Sequence, residues 1–144
     1  MMASIKSKNT KPEIITRSLL HRHGFRFRIH DKSLPGTPDI VLKKYKAVIF
    51  VHGCYWHRHE NCKLASIPKQ NKAFWKKKFD ANTHRDGVVY FKLKRLGWRV
   101  AIIWECAIRD KINLPVYLKT LTVWLKSDYE YIEIPEVFLE HDIL

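Results

Sequence analysis

A continuous apolar run leads directly into a cluster of histidines and cysteines near the middle of this chain. The run at 47–52 is followed at once by the segment GCYWHRHENC, which ends at Cys62. The chain has 3 Cys and 8 His in 144 residues, yet two of the cysteines and three of the histidines lie between Phe50 and Cys62. An uninterrupted apolar run of this length predicts a central strand of a sheet. The polar cluster is therefore expected on a loop at the end of that strand.

The other sequence patterns predict helices and strands that alternate along the chain. Thr10 and Glu13 have capping-box spacing around Pro12, which predicts a first helix that ends before Gly24. The expected strands are 25–29, 39–42, 47–52 and 98–106, and the other expected helices are 72–96, with Asp80 as a point where it could break, and 115–126. This order, α-β-β-β-α-β-α, indicates an α/β fold in which helices flank a small mixed central sheet.

The positive charge of the chain is concentrated in its first 127 residues. All 27 Lys and Arg precede Ser127, whereas six of the 14 acidic residues follow it, and the net charge is +13. Such a density of charge favours a polyanionic partner, above all nucleic acid. A basic surface without a partner, or a contact with acidic lipid, would give the same composition. We divide the chain into a basic arm at 1–9, a folded domain at 10–127 and an acidic tail at 128–144, in which 129–138 alternates like an edge strand.

The composition also predicts the cellular compartment. No run of 18 apolar residues offers a membrane span, and the first residues, MMASIKSKNTKPE, contain no apolar leader. An odd number of cysteines fits reduced thiols or a metal ion better than a disulfide framework. We therefore expect a cytoplasmic protein that does not contact a membrane.

The cysteines and one histidine have the spacing of metal ligands. Cys54, His59 and Cys62 form the pattern C-x4-H-x2-C, and Zn²⁺ favours four Cys or His ligands. If strand 98–106 lies beside strand 47–52 in parallel, Cys106 meets the start of the loop and supplies a fourth ligand. The alternative is that Cys106 is a buried thiol of the core and that the histidines are exposed.

Asp39 stands between a tight turn and a strand, in the segment LPGTPDIVL. An aspartate in this position often only caps the turn. However, the two strands of a hairpin would bring Asp39 close to Val51 and His52. A carboxylate, a main-chain carbonyl and a histidine together suit Mg²⁺ binding and proton transfer.

Five segments of the chain resemble the very-short-patch-repair (Vsr) DNA mismatch endonucleases. They are KSKNTKPE, LPGTPDIV, VIFVHGCYWHRH, FWKKKFDANTHRD and GWRVAIIWEC, and they extend in order over about residues 4–110. The resemblance implies the PD-(D/E)xK nuclease fold, although the usual E-x-K pair is replaced here by Phe50, Val51 and His52. It thus implies a restriction-endonuclease-like core with a structural zinc loop.

The same resemblance implies roles for individual residues. Asp39 corresponds to the essential magnesium ligand, and the carbonyl of Val51, where the family often has threonine, corresponds to a second one. His57 corresponds to the general base, Glu13 to the acid that orients it, and His52 to a histidine that contacts the phosphate. For Glu13 the capping box remains the alternative.

The resemblance also implies the ligands, the substrate and the partners. The zinc ligands would be Cys54, His59, Cys62 and Cys106. The substrate would be double-stranded DNA with a T·G mismatch, nicked on the 5′ side of the thymine, and mismatch-repair proteins would be further partners of a monomeric bacterial enzyme. Two alternatives are a zinc-stabilised DNA-binding protein without catalysis and a nuclease of the same fold with another DNA target.

Aromatic and basic side chains near the cluster are candidates for contacts with DNA. A T·G pair stacks poorly, so flat side chains can pry its step open at low cost. The candidate wedge residues are Tyr55, Trp56 and Trp75, and the candidate phosphate contacts are Lys6, Lys8, Lys76, Lys77 and Lys78. For Trp75, packing in the core is the alternative.

Overall fold

Helices and strands alternate along the chain, as a computed structural model that describes residues 8–136 shows. The helices are α1 (Lys11–Arg22), α2 (Lys72–Arg95), α3 (Glu105–Arg109) and α4 (Leu114–Leu125). The strands are β1 (Arg28–Ile29), β2 (Ile40–Leu42), β3 (Ala47–His52), β4 (Arg99–Trp104) and β5 (Tyr131–Ile134). A short 3-10 turn, Lys43–Tyr45, joins β2 to β3.

The five strands form one mixed sheet in the order β1-β2-β3-β4-β5. β1, β2 and β3 are antiparallel neighbours, and Ile40 pairs with Ile49 in the hairpin. β4 is parallel to β3, with His52 opposite Trp104, and β5 is parallel to β4. The prediction of a small mixed sheet flanked by helices is confirmed. In this topology the carboxyl ends of β3 and β4 lie side by side, which sets the position of the loop after β3.

Both faces of the sheet are covered, because the apolar side chains of its central strands alternate between two core clusters. On one face Ile49 and Ile103 pack with Leu20 of α1 and Leu121 of α4. On the other face the chief helical residue is Leu93 of α2, which packs with the side chains of Val48, Phe50, Val100 and Ile102. The result is three layers, with α1, α3 and α4 on one side of the sheet and α2 on the other.

Three elements differ from the sequence prediction. The expected strand 25–29 is paired only over Arg28–Ile29, since β2 offers just Ile40 and Val41 as partners for it. The chain turns from β4 directly into α3, so Cys106 lies in the first turn of a helix and not at the end of a strand. α2 is unbroken over 24 residues, and Asp80 within it forms an exposed i,i+4 ion pair with Lys76 at 2.8 Å.

The sheet extends beyond residue 127 into the segment expected to form an acidic tail. β5 contributes Ile132 and Ile134 to the core, and Glu133 between them accepts a hydrogen bond from the indole N–H of Trp104 at 2.8 Å. Glu130 forms an ion pair with Lys94. The edge strand expected within 129–138 is therefore present as β5. The tail residues Glu140 and Asp142 lie outside the described residues.

Within residues 8–136, none of the helices combines the length and the apolar character that a bilayer span requires.

Candidate active site

A cleft of about 870 Å³ lies where the ends of β2 and β3 meet α1 and α2. The four residues predicted to be catalytic all line this cleft: Glu13, Asp39, His52 and His57. Four basic side chains also line it: Lys8, Lys32, Lys78 and Arg85. A concave site lined by acids, imidazoles and cations suits the phosphate backbone of a nucleic acid.

Asp39 is held at the floor of the cleft by the neighbouring strand. Its Oδ2 accepts a hydrogen bond of 2.7 Å from the backbone N–H of Val51. Burial raises the pKa of Asp39 to about 7, and the nearby Glu13 adds to this rise, although the Val51 hydrogen bond opposes it. The carboxylate therefore exists in an environment that favours a compensating positive charge.

The turn before Asp39 packs closely on α2 because it contains a glycine. Gly36 has φ of +74°, and a Cβ placed there would lie 2.5 Å from Cγ1 of Val89. A side chain at this position would both strain the backbone and push the turn away from α2. Glycine thus fixes the distance between the turn that precedes Asp39 and the α2 wall of the cleft.

Glu13 is buried in the first turn of α1 and binds a residue that sequence analysis did not single out. Its Oε2 accepts hydrogen bonds of 3.0 Å from the imidazole Nε2 of His30 and from the backbone N–H of Asn9. Thr10 Oγ1 accepts the N–H of Glu13 at 3.4 Å, so Thr10 is the helix cap. The Glu13 carboxylate does not return to the N–H of Thr10, as a complete capping box would require, and faces the cleft instead.

His57 is oriented by Asp86 of α2, and not by the acid that the resemblance suggested. Its Nδ1 lies 2.7 Å from Oδ2 of Asp86. Glu13 thus binds His30, and His57 binds Asp86. Within the described residues, the hydrogen bond expected between Glu13 and His57 is not formed. The Asp86 carboxylate fixes the Nδ1–H tautomer of the imidazole, which leaves Nε2 free to accept a proton.

His52 stacks on His57, with ring centroids 3.7 Å apart and planes within 6° of each other. It is buried, and burial together with His57 holds the pKa of His52 well below its usual value. The Nδ1 of His52 lies 3.3 Å from the hydroxyl of Tyr90. His52 thus lines the cleft in surroundings that disfavour its charged form.

A second cluster joins the loop after β3 to the start of α3. It contains all three cysteines of the chain and one histidine: Cys54, His59, Cys62 and Cys106. Their ligand atoms lie within 4.8 Å of one another, and Nδ1 of His59 is 3.6 Å from Sγ of Cys54 and 3.4 Å from Sγ of Cys106. The ligands of a tetrahedral ion with bonds of about 2.0–2.3 Å are separated by roughly 3.3–3.8 Å. The four side chains thus have the chemistry and spacing of a metal site.

Two of the four ligands of this Cys₃His cluster are shielded from solvent, whereas Cys62 and Cys106 are partly exposed. Cys54 is fully buried and His59 is 6% exposed, with its ring stacked on Trp104 at 4.2 Å. Burial raises the pKa of Cys106 to about 11 and raises that of Cys54 further. A bound cation would offset this cost by favouring the thiolates.

The predicted wedge residues gather at the amino-terminal end of α2. Trp56 lies 6.0 Å from Trp75, and Tyr55 packs edge-on against Phe79 at 5.3 Å between ring centroids. Phe79 is buried and the other three rings are partly exposed. Trp75 therefore belongs to a surface aromatic cluster with Tyr55, Trp56 and Phe79, and not to the central core.

The predicted lysines are distributed differently. Lys78 lies over the rings of Trp56 and Trp75 at about 6 Å and lines the cleft, as Lys8 does. Lys76 is paired with Asp80, and Lys77 is exposed on α2. Lys6 lies outside the described residues.

Sequence analysis missed His30, Asp86 and Tyr90. Asp86 stands within the quoted segment FWKKKFDANTHRD, but no local spacing connects it with His57. His30 follows a strand and has φ of +49°, a left-handed conformation that the neighbouring sequence does not predict. Asp86 and Tyr90 contact the site from α2, and His30 contacts it from the segment after β1.

Comparison with known proteins identifies relatives over most of the chain. Residues 1–64 match the family model described as DNA mismatch endonuclease Vsr. The type II nicking enzyme V.XorIIP of Xanthomonas oryzae pv. oryzae is 46% identical over 121 residues, which cover 84% of this chain and 88% of the relative.

Two further relatives agree with this match. The type II nicking enzyme V.NmeAIP of Neisseria meningitidis is 45% identical over 111 residues, covering 77% of this chain and 79% of the relative. The DNA mismatch endonuclease Vsr of Escherichia coli is 41% identical over 126 residues, covering 86% of this chain and 80% of the relative. With the site geometry, these similarities establish that the chain belongs to the Vsr family of DNA mismatch endonucleases.

Proposed function

We propose that this chain hydrolyses one phosphodiester bond of double-stranded DNA next to a mispaired thymine. The observation that supports this most directly is the cleft in which Asp39 lies opposite a histidine, His57, whose free nitrogen is set by Asp86. The relatives are named as mismatch endonucleases and nicking enzymes. The core would be of the PD-(D/E)xK type, with β2 and β3 as the hairpin that presents the Asp39 carboxylate.

A divalent ion, proposed to be Mg²⁺, would be held by Asp39 and the carbonyl of Val51. The raised pKa of the Asp39 carboxyl and the proximity of a second carboxylate, Glu13, support a cation there. Glu13 and His30 bring further ligand atoms within 4.8 Å of Asp39. When bound, the ion would neutralise charge on the phosphate and on the leaving oxygen.

His57 would act as the general base. Asp86 holds the proton of the imidazole on Nδ1, so that Nε2 accepts a proton from the attacking water. The Asp86 carboxylate then stabilises the imidazolium that forms. His52, stacked on the same ring, stays neutral and contacts a phosphate oxygen from the wall of the cleft.

The Cys₃His cluster would hold a structural zinc ion. Cys54, His59 and Cys62 belong to the loop after β3, and Cys106 belongs to α3, so one ion would fasten the loop to the sheet. The loop between Gly53 and Cys62 also carries Tyr55 and Trp56. Zinc would therefore hold these aromatic side chains in a fixed position relative to the cleft.

Mismatch selection would use the surface aromatic cluster. Tyr55, Trp56 and Trp75 can enter a base step that a T·G pair has weakened, while Lys8 and Lys78 bind phosphates beside the cleft. From the family resemblance, the nick lies 5′ to the thymine. By the same resemblance the protein acts as a monomer in the bacterial cytoplasm, and mismatch-repair proteins are further partners.

A nicking assay tests this function. Duplexes with one T·G pair in varied flanks, and matched T·A duplexes, are incubated with Mg²⁺ or with a chelator. We expect a Mg²⁺-dependent nick beside the thymine that Asp39→Ala abolishes and that Asp128→Ala, a change of an exposed acid far from the cleft, leaves intact. Cutting by Asp39→Ala would contradict the assignment of the active site. Binding without any nick would indicate a DNA-binding protein, and equal cutting of T·A duplexes would indicate a nuclease with another target.

A further inference from the structure

We propose that Tyr90 is a positioning residue that holds the proton of His52 on Nε2, so that His52 presents an N–H donor to a phosphate oxygen in the cleft. This inference rests on the proposed function, because it defines how His52 contacts the phosphate. It concerns a residue on α2 that no part of the sequence pattern connects with the site.

The geometry places the hydroxyl of Tyr90 against one nitrogen of His52 only. The distance from the Tyr90 oxygen to Nδ1 of His52 is 3.3 Å. Phe50 and Tyr131 pack near the Tyr90 ring, with centroids at 5.7 Å and 6.2 Å, and thus restrict its orientation. His52 itself lines the cleft.

The direction of this hydrogen bond follows from the surroundings of the hydroxyl. Within residues 8–136, the Tyr90 oxygen makes no hydrogen bond other than the one to His52. The hydroxyl is half-buried beside the cleft, and a phenol O–H is a stronger donor than an imidazole N–H, whereas an imidazole nitrogen is a stronger acceptor than a phenol oxygen. Burial and the nearby Asp86 also raise the pKa of Tyr90, so the phenol keeps its proton. The O–H of Tyr90 therefore donates to Nδ1 of His52.

A neutral imidazole that accepts at Nδ1 must donate at Nε2. The opposite holds for His57, whose Nδ1–H is held by Asp86 and whose Nε2 accepts. Two stacked rings, 3.7 Å apart, thus present opposite hydrogen-bonding groups to the cleft. His57 removes a proton, and His52 donates a hydrogen bond without carrying a charge next to the imidazolium.

The first test is a tautomer measurement that does not depend on nuclease activity. The zinc-loaded full chain, free of Mg²⁺, is labelled with ¹⁵N and the imidazole nitrogens are observed by NMR, with His52→Gln used to assign the signals of His52. We expect Nδ1 of His52 to carry no proton and Nε2 to be protonated. In Tyr90→Phe the Nδ1 signal of His52 should move toward the position of an imidazole nitrogen that accepts no hydrogen bond. Tyr131→Phe should leave this signal unchanged. A proton on Nδ1 in the wild type, or identical spectra for wild type and Tyr90→Phe, would overturn the proposal.

The second test is kinetic. Tyr90→Phe should lower kcat for nicking of a T·G duplex by about 3–10-fold, the usual effect of losing one hydrogen bond, with KM unchanged. Tyr131→Phe, which removes a neighbouring hydroxyl bound to Glu133, should stay within about twofold. An unchanged kcat for Tyr90→Phe would refute the proposal that Tyr90 sets the contact of His52 with the phosphate. A wild type that has the expected tautomer but cuts no DNA would refute the proposed function and leave the Tyr90–His52 assignment intact.

Discussion

Of the three clusters of potential metal ligands within residues 8–136, the Cys₃His cluster and the cluster of Glu13, His30 and Asp39 differ in almost every physical respect. The Cys₃His cluster is closed in the sense that four protein ligands make up a full tetrahedral set, two of them buried and two half-buried. The cluster around Asp39 is open, rich in oxygen and lined by a cavity of about 870 Å³. A full set of soft ligands holds an ion without leaving a coordination position for substrate, whereas a few carboxylates leave positions for water and phosphate. Under the proposed function, the Cys₃His cluster would support the fold and the cluster around Asp39 would take part in the reaction.

The two clusters also affect stability in opposite ways. A metal bound to Cys54 and Cys106 cross-links the loop and α3 and contributes to folding. The Asp39 carboxylate is buried at a cost, which its raised pKa reflects. One cluster should thus determine whether the chain folds well, and the other whether it reacts. The variants below test this separation, from the largest expected effect to the smallest.

His57→Ala should reduce the nicking rate by about 10³-fold, because the variant lacks the general base. Bound zinc and affinity for DNA should remain near those of the wild type. Single-turnover nicking of a T·G duplex measures the rate, and His84→Ala, an exposed histidine on α2, is the control. A loss of less than tenfold would show that another group activates the water.

Cys106→Ser should remove the metal from the closed cluster and destabilise the fold by about 3 kcal/mol, which corresponds to a fall in Tm of roughly 10 °C. Elemental analysis and thermal unfolding measure the two quantities. Asp39→Asn is the contrasting variant and should retain the metal. If Cys106→Ser kept both its metal and its Tm, the closed cluster would have no structural role.

Asp39→Asn should stabilise the Mg²⁺-free protein at pH 8 by on the order of 2 kcal/mol while abolishing nicking. The folded-state pKa of about 7 lies above the ordinary 3.8, so the wild type loses stability as the pH rises between these values, and the variant does not. The asparagine oxygen still accepts the Val51 N–H. Urea unfolding at pH 4 and pH 8 measures the effect. A gain that is equal at both pH values would contradict the electrostatic explanation.

Trp56→Ala should weaken binding to a T·G duplex by about 5–30-fold, as expected for the loss of one stacking side chain. Binding to a matched duplex should weaken less, and bound zinc should not change. Phe91→Ala, an aromatic that is 62% exposed on α2 outside the aromatic cluster, is the control. Equal weakening on matched and mismatched DNA would show that Trp56 does not recognise the mismatch.

Local patterns were sufficient to predict most of the fold. The apolar runs at 47–52 and 98–106 predicted two buried strands, because such runs occur where a strand is buried on both faces, and the parallel pairing considered for them is the one found. The grouping of the four candidate zinc ligands followed from that pairing. The length of β1 did not, since it depends on how many partners β2 offers.

From chain connectivity alone, the site was predictable only within the β2–β3 hairpin and the loop after it, whereas Glu13 of α1 was assigned through the family resemblance. Asp39, His52 and His57 belong to the hairpin or to the loop after it, and their proximity follows from chain connectivity. The partners of these residues come from elsewhere: His30 meets Glu13 across 17 positions and Asp86 meets His57 across 29. Contacts at such separations depend on the packing of α1 and α2 against the sheet, which periodicity does not describe.

The unbroken course of α2 has a mechanical consequence. Trp75 and Asp86 are eleven residues apart, about three turns or 16 Å along one face of the same rigid helix. Under the proposed function, a tilt of the aromatic end of α2, imposed when its side chains enter a base step, would also move the Asp86 carboxylate that orients His57. A duplex bound out of place would then leave His57 misaligned for the reaction.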